Sequence, residues 1–296
     1  MKKYLLILVA VAALGLTACN EDELNPKSII TVDKIDYTPF DYWLNRNFVE
    51  PYNLQFKYRF EEIESDLNYY TVPAKYENSI ILAHLVKYLC LEAYDEVGGI
   101  EFTRANFPKL IFCIGDWEYK NNGSYILGTA EGGRKILLAG VNFLNQYLKS
   151  PSDLNHYYFK TVHHEFTHIL NQTKDIPTDF QFITGTGYVA DAWSTDDFSS
   201  GYLQRGFISA YAQHSYTEDF AEMLSMFICY PPEQWEAWME AAGAEAEALI
   251  TAKLDIVTNY MISYWGIDLY QLRKTIQRRQ SDVANGKINL TDITVK

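Results

Sequence analysis

His164-Glu165-Phe166-Thr167-His168, inside the run from Leu154 to Asn171, decides how this chain is read. Apolar residues recur at Tyr158, Val162, Phe166, Ile169 and Leu170, the spacing of an amphipathic helix. Asp153 stands where an N-cap is expected. At about 3.6 residues per turn, His164 and His168 share one face, one turn apart. Two imidazole nitrogens so placed can share one Zn²⁺. Glu165 is offset by one residue and points beside the metal, where a general base takes a proton from water. The bland alternative is a helix with satisfied polar residues, and His163 shows that not every histidine need be a ligand. Four of the six histidines fall between residues 156 and 168, however, and such clustering favours metal.

A catalytic zinc needs a third protein ligand and an open position for water. The extended metzincin pattern would place Gly at 171 and His at 174. The chain has Asn171 and Lys174, which excludes that class. Glu218 and Glu222, in Thr217-Glu218-Asp219-Phe220-Ala221-Glu222, again sit four apart on one helical face. One carboxylate can bind zinc while the other accepts the far N–H of a ligand histidine. An ordinary solvated helix face is the plain alternative for that pair. Asp191, near Gly185-Thr186-Gly187-Tyr188, is a weaker candidate for the third ligand, loosely as in aspzincins.

His-Glu-x-x-His followed by a helix with Glu-x-x-x-Glu resembles the gluzincin class of metallopeptidases. More narrowly, Pro51-Tyr52-Asn53-Leu54, Gly206-Phe207-Ile208-Ser209-Ala210-Tyr211-Ala212 and Glu218-Asp219-Phe220-Ala221-Glu222 resemble the zinc-binding metallopeptidase lipoproteins of Bacteroidetes. That likeness covers most of residues 41 to 230. It implies hydrolysis of peptide bonds, with Glu218 as the zinc ligand and Glu222 behind a histidine. Lethal-factor-type gluzincins also carry a tyrosine seven residues before the glutamate, which maps onto Tyr211 as a donor to the oxyanion; Tyr216 and His214 are rivals. Zinc peptidases of this kind bind an extended peptide along a sheet edge. Lys135 to Val141 is the candidate edge, with an ordinary core strand as the equal alternative.

The two ends set the context. Lys2-Lys3 and the apolar run Tyr4 to Ala18 have the layout of a secretory signal, too short for a span of about 20 residues. Leu16-Thr17-Ala18-Cys19 resembles a bacterial lipobox, and Asn20-Glu21-Asp22-Glu23 resembles a surface-export signal of Bacteroidetes lipoproteins. The expected layout is a signal peptide over 1–18, lipidation at Cys19, a flexible tether over 19–40 and one metallopeptidase domain over 41–296. The expected place is the outer membrane, surface-exposed, with the lipid as the only membrane contact. With 38 acidic against 25 basic residues, net charge −13, the chain repels phosphate backbones, so nucleic acid is not an expected partner. A monomer acting on peptide or protein is expected. Cys90, Cys113 and Cys229 sit among apolar neighbours and read as buried thiols.

The expected fold is α+β: a zincin-like domain with a small N-terminal mixed sheet, the active-site helix and a helical C-terminal part. Strands are read at Asn53–Phe60, Lys109–Ile114, Tyr125–Leu127 and Lys135–Val141, the last two joined by a hairpin through Gly128 and Gly132-Gly133. Helices are read at Tyr76–Tyr94, Leu154–Asn171, Thr217–Tyr230, and from Glu233 to about Arg279 with one break near Gly266. The stretch Gln172 to Gly206 is aperiodic, and a loop of that length is functional or partly structured. A second function class fits the aromatic content and the anchor: a surface lipoprotein that captures peptide or glycan for uptake, its zinc structural or vestigial. Against it, structural zinc sites are usually cysteine-rich and closed by four protein ligands.

Overall fold

The computed structural model describes residues 36–64, 69, 71–119, 125–126, 128–131 and 135–295. The signal segment, Cys19 and nearly all of the tether lie outside the described residues, as does Gly132-Gly133. Thr38–Lys296 form one compact unit.

Thr38 opens that unit as a helix cap. Its hydroxyl accepts the Asp41 N–H at 3.3 Å, and its own N–H donates to the Asp41 carboxylate at 2.7 Å, a reciprocal capping box. Helix α1 (Pro39–Leu44) continues through a π turn to Tyr52, and Asn53 (φ 50°) reverses the chain into strand β1 (Gln55–Lys57). Leu54, Phe56 and Tyr58 are all buried, as their alternation predicts. Helix α2 (Tyr76–Val86) passes through a π segment, Lys87–Leu91, into α3 (Glu92–Gly98). Gly99 (φ 81°) then turns the chain into α4 (Ile100–Asn106).

Strands β2 (Leu110–Cys113), β3 (Glu118–Tyr119), β4 (Tyr125–Ile126), β5 (Gly128–Glu131) and β6 (Lys135–Leu138) follow. The main sheet has the order β1-β2-β6-β5, parallel across β1, β2 and β6, with β5 antiparallel to β6. Phe56, Ile111 and Ile136 fall in register across the three parallel strands, all buried. The sheet is therefore mixed, as expected. Two details of the sequence reading need correction. Tyr125-Ile126 pairs with β3, and the strand that pairs with β6 is Gly128–Glu131, which begins at a glycine expected in the turn. In addition, β6 lies inside the sheet with β2 and β5 on either side, so it is not an edge.

The rest is helical. Helix α5 (Pro151–Leu154), a π turn (Asn155–Phe159) and α6 (Lys160–Thr173) form one continuous run. Its N-cap is Ser150, not Asp153: the Ser150 hydroxyl accepts the Asp153 N–H, and Pro151 fills the first helical position, where its missing N–H costs nothing. The segment 172–206 contains α7 (Thr178–Ile183) and three short 3₁₀ turns. Helices α8 (Tyr216–Cys229), α9 (Pro232–Ala242), α10 (Ala244–Trp265) and α11 (Leu269–Ala284) close the fold. The C-terminal helical part has two breaks where one was expected: Gly243 (φ 79°) separates α9 from α10 as Gly266 (φ 68°) separates α10 from α11.

Helix α6 is seated on aromatic rings. Phe166 is fully buried, its ring 4.9 Å from those of Tyr94 and Phe107 and 5.9 Å from that of Phe102. Because these rings fix both the height and the rotation of α6, Phe166→Ala is expected to cost about 3–5 kcal/mol. Chemical denaturation with an unchanged m-value is the check; a loss below about 1 kcal/mol would mean the ring cluster does not seat the helix.

Candidate metal centre

The π turn before α6 controls what that helix presents. The Lys160 N–H donates to the Asn155 carbonyl, an i→i+5 bond. One extra residue in that turn puts Asn155 in phase with Lys160, His164 and His168, at spacings of five, four and four. The shared face meets α8 along a seam. Asn155 Nδ2 donates to the Cys229 carbonyl at 2.7 Å, and Lys160 Nζ donates to Glu222 Oε1 at 2.8 Å. Farther on, Nε2 of His164 and of His168 lie 2.9 and 3.1 Å from Glu218 Oε2. Partners run down α6 as they run up α8, so the helices are antiparallel. Helix α8 starts at Ser215, whose hydroxyl accepts the Glu218 N–H at 3.3 Å and holds Glu218 in the first turn.

The two Nε2 atoms are 3.1 Å apart, so His164, His168 and Glu218 form a triangle of donors. Tetrahedral ligands each about 2.0–2.1 Å from a zinc ion stand roughly 3.4 Å from one another. The observed sides of 2.9, 3.1 and 3.1 Å are close to that, and a His₂Glu donor set is one that zinc accepts. Glu222 Oε1 lies 2.7 Å from His164 Nδ1, close but outside hydrogen-bond geometry. A proton on Nδ1 facing that carboxylate leaves the Nε2 lone pair toward the triangle.

Electrostatics ask for a cation here. Burial alone would pull the His164 imidazole down, but Glu218, Glu222 and Glu165 push it up to about 9. Burial would raise Glu218 and Glu222, yet His164 and His168 hold the first, and Lys160 and His164 the second, well below the usual carboxylate range. Glu165 differs. Burial raises it, with His164 and His168 pulling the other way, so it is a stronger base than an exposed glutamate. The Tyr211 ring is 5.9 Å from that of His164. Burial and the charges of Glu218, Glu165 and Glu222 raise its phenol, so it remains a proton-bearing donor.

The other candidates lie elsewhere. Asp191 is fully exposed and pairs with His214 Nε2 at 3.4 Å, outside the donor triangle. His163 is buried, its Nδ1 3.1 Å from the Tyr94 hydroxyl, and burial lowers it to about 3, so it stays neutral in the core. His156 stands edge-on to Tyr157. Of the four clustered histidines, two belong to the triangle. Tyr216 is 40% exposed, at the start of α8.

Residues 33–270 match the model of a protein family described as "Putative zinc-binding metallo-peptidase". The chain belongs to this family. It is similar to a solved Bacteroides caccae protein given the same description, at 43% identity and a TM-score of 0.75, covering 86% of this chain and 96% of that one. No curated protein matches the chain.

The donor triangle rests on residues that local sequence reading did not find. Lys160 precedes His164 by four residues, a spacing that could have flagged it. Ser209, within the stretch Gly206–Ala212, donates to Glu222 Oε2 at 2.7 Å and accepts the Ala212 N–H at 3.1 Å. Lys253 of α10 gave no signal. It is fully buried, its ammonium 2.5 Å from Asp219 Oδ2, 2.9 Å from the Gly206 carbonyl and 4.0 Å from the centre of the Phe207 ring. Tyr188 donates to the same Asp219 oxygen at 3.0 Å. Burial pushes Asp219 up to about 6 against the pull of Lys253. The pair thus ties the segment around Tyr188 and Gly206 to the residue next to Glu218. Lys253→Met strands a buried carboxylate and is expected to cost about 3–5 kcal/mol, with Asp219→Leu added to it restoring most of the loss. Denaturant unfolding of the two variants checks this; a single variant as stable as wild type would show that the pair is energetically idle.

Proposed function

We propose that the protein is a zinc-dependent peptidase of the bacterial cell envelope, with zinc held by His164, His168 and Glu218. The observation that carries the reading is the donor triangle beside the raised carboxyl of Glu165. Among the described residues the donor group has three members, which suits a catalytic site with an open position better than a closed structural one. Bound zinc would supply Lewis-acid polarisation of the scissile carbonyl and lower the pKa of water. Glu165 takes the proton from the attacking water and passes it to the leaving amine. Tyr211 donates to the oxygen on which negative charge develops. Glu222, itself held by Lys160 and Ser209, fixes the tautomer of His164. The substrate is peptide or protein, and the enzyme acts as a monomer. Its place on the membrane rests on Leu16-Thr17-Ala18-Cys19, with acylated Cys19 as the anchor.

Metal analysis of the purified protein is expected to give one zinc per chain, lost in Glu218→Ala and kept in Glu165→Gln. Cleavage of a peptide library should require zinc and fall about 10²–10⁴-fold in Glu165→Gln. Absence of zinc from wild type, or cleavage by Glu165→Gln at the wild-type rate, would overturn the proposal. For the anchor, metabolic labelling with a fatty acid is expected to mark the wild type and not Cys19→Ser; equal labelling of both would reject Cys19 as the lipidated residue.

A further inference from the structure

The seam between α6 and α8 does not end at Lys160. At its far end, where Asn155 meets Cys229, a cavity of about 340 Å³ opens between the start of the α5–α6 run, the end of α8 and helix α11. Nine residues at ~1.5 Å each put it roughly 14 Å along the helix from His164, so it is separate from the metal centre. The volume is within the range of small-molecule sites. Although the chain carries a net charge of −13, none of the described side chains lining this cavity is charged. The polar groups are carboxamides and hydroxyls, with half-buried Tyr230 also on the wall.

The floor is built. Asn155 and Gln280 are 1% and 4% exposed, and Gln280 Nε2 donates to Asn155 Oδ1 at 2.7 Å. Asn155 Nδ2 is committed to the Cys229 carbonyl at 2.7 Å and reaches Gln280 Oε1 only at 3.5 Å, so that oxygen keeps its accepting capacity. Gln277 is fixed by its Nε2, which donates to the Tyr230 carbonyl at 2.8 Å, leaving Oε1 with no donor among the described residues. At the rim, the side chains of Gln234 and Ser152 make no hydrogen bond to the described protein. Held acceptors below and free amide and hydroxyl groups above form a pre-arranged hydrogen-bonding array.

We propose that this cavity binds an uncharged saccharide of one or two rings. Each sugar hydroxyl both donates and accepts, which matches carboxamides that offer an oxygen and an NH₂ side by side. A charged ligand would give up its hydration with no counter-charge on the walls. A wholly apolar ligand would leave the amides unpaired. Pro151, Pro231 and Tyr230, which also line the cavity, add apolar surface suited to the C–H face of a sugar ring. Sugar binding here requires neither zinc nor peptide hydrolysis.

Saturation-transfer NMR on the purified full chain tests it, with maltose and N-acetylglucosamine as probes. Glucosamine and glucuronic acid serve as charged controls, and a capped trialanine peptide represents neutral backbone amides. Saturable binding of a neutral sugar is expected, with none of the charged sugars. Gln234→Ala with Gln277→Ala should weaken it roughly tenfold or more, from lost hydrogen bonds. Gln234→Ala alone removes no bond within the described protein, so it carries the test if the double variant does not fold. No saturable sugar binding, binding of the capped peptide alone, or affinity unchanged in these variants would overturn the proposal.

Discussion

Everything at this site depends on one constraint: α6 and α8 must cross in a phase that puts two imidazoles of one against a single carboxylate oxygen of the other. A helix rotates by about 100° per residue, so a slip of one position in either helix would carry the donors out of reach. The fold fixes that phase from several sides. Phe166 seats α6 on Tyr94, Phe102 and Phe107, while Lys160 grips Glu222 across the seam. Ser215 sets the first turn of α8, and Lys253 holds Asp219, one residue from the third donor. These are the contacts that make the triangle an outcome of packing.

The electrostatic cost of the arrangement explains its surroundings. Glu165, Glu218 and Glu222 cluster around two imidazoles in a largely buried place, where unbalanced charge is strongly disfavoured. Lys160 answers Glu222 and the imidazoles answer Glu218. Glu165 has no direct partner of that kind among the described contacts, which is why burial raises it while the other two fall. One cluster therefore contains two carboxylates held as anions and one whose proton affinity is raised. The difference comes from neighbours, since all three are glutamates on the same two helices.

How much of this was legible in the sequence follows from the range of each interaction. His164 with His168, and Glu218 with Glu222, are pairs at one helical turn, and a period of 3.6 displays them directly. The strands were harder. Gly128–Glu131 has no alternation and begins at a glycine, so it looks like a turn until its pairing with β6 is seen. Ser150 outcompeted Asp153 as the cap because Pro151 is favoured at the first helical position, just after a cap, where its fixed φ suits the helix and its missing N–H is not needed. Lys253 and Asp219 lie 34 residues apart, and Lys160 and Glu222 lie 62 apart. No local pattern marks such partners, because their pairing is decided by how the helices stack.

The π turn at Asn155–Phe159 joins these points. In an uninterrupted α-helix, Asn155 would be five residues from Lys160 and turned well off its face. The i→i+5 step removes that offset, so one face of the α5–α6 run carries the amide that bonds Cys229, the ammonium that bonds Glu222 and both imidazoles at Glu218. A helix without the bulge could keep the metal triangle or the Asn155–Cys229 bond, but not both on one straight seam. The bulge is thus what makes the polar floor of the cavity and the metal centre two ends of a single helix interface. Any shift of α8 along α6 must be felt at both.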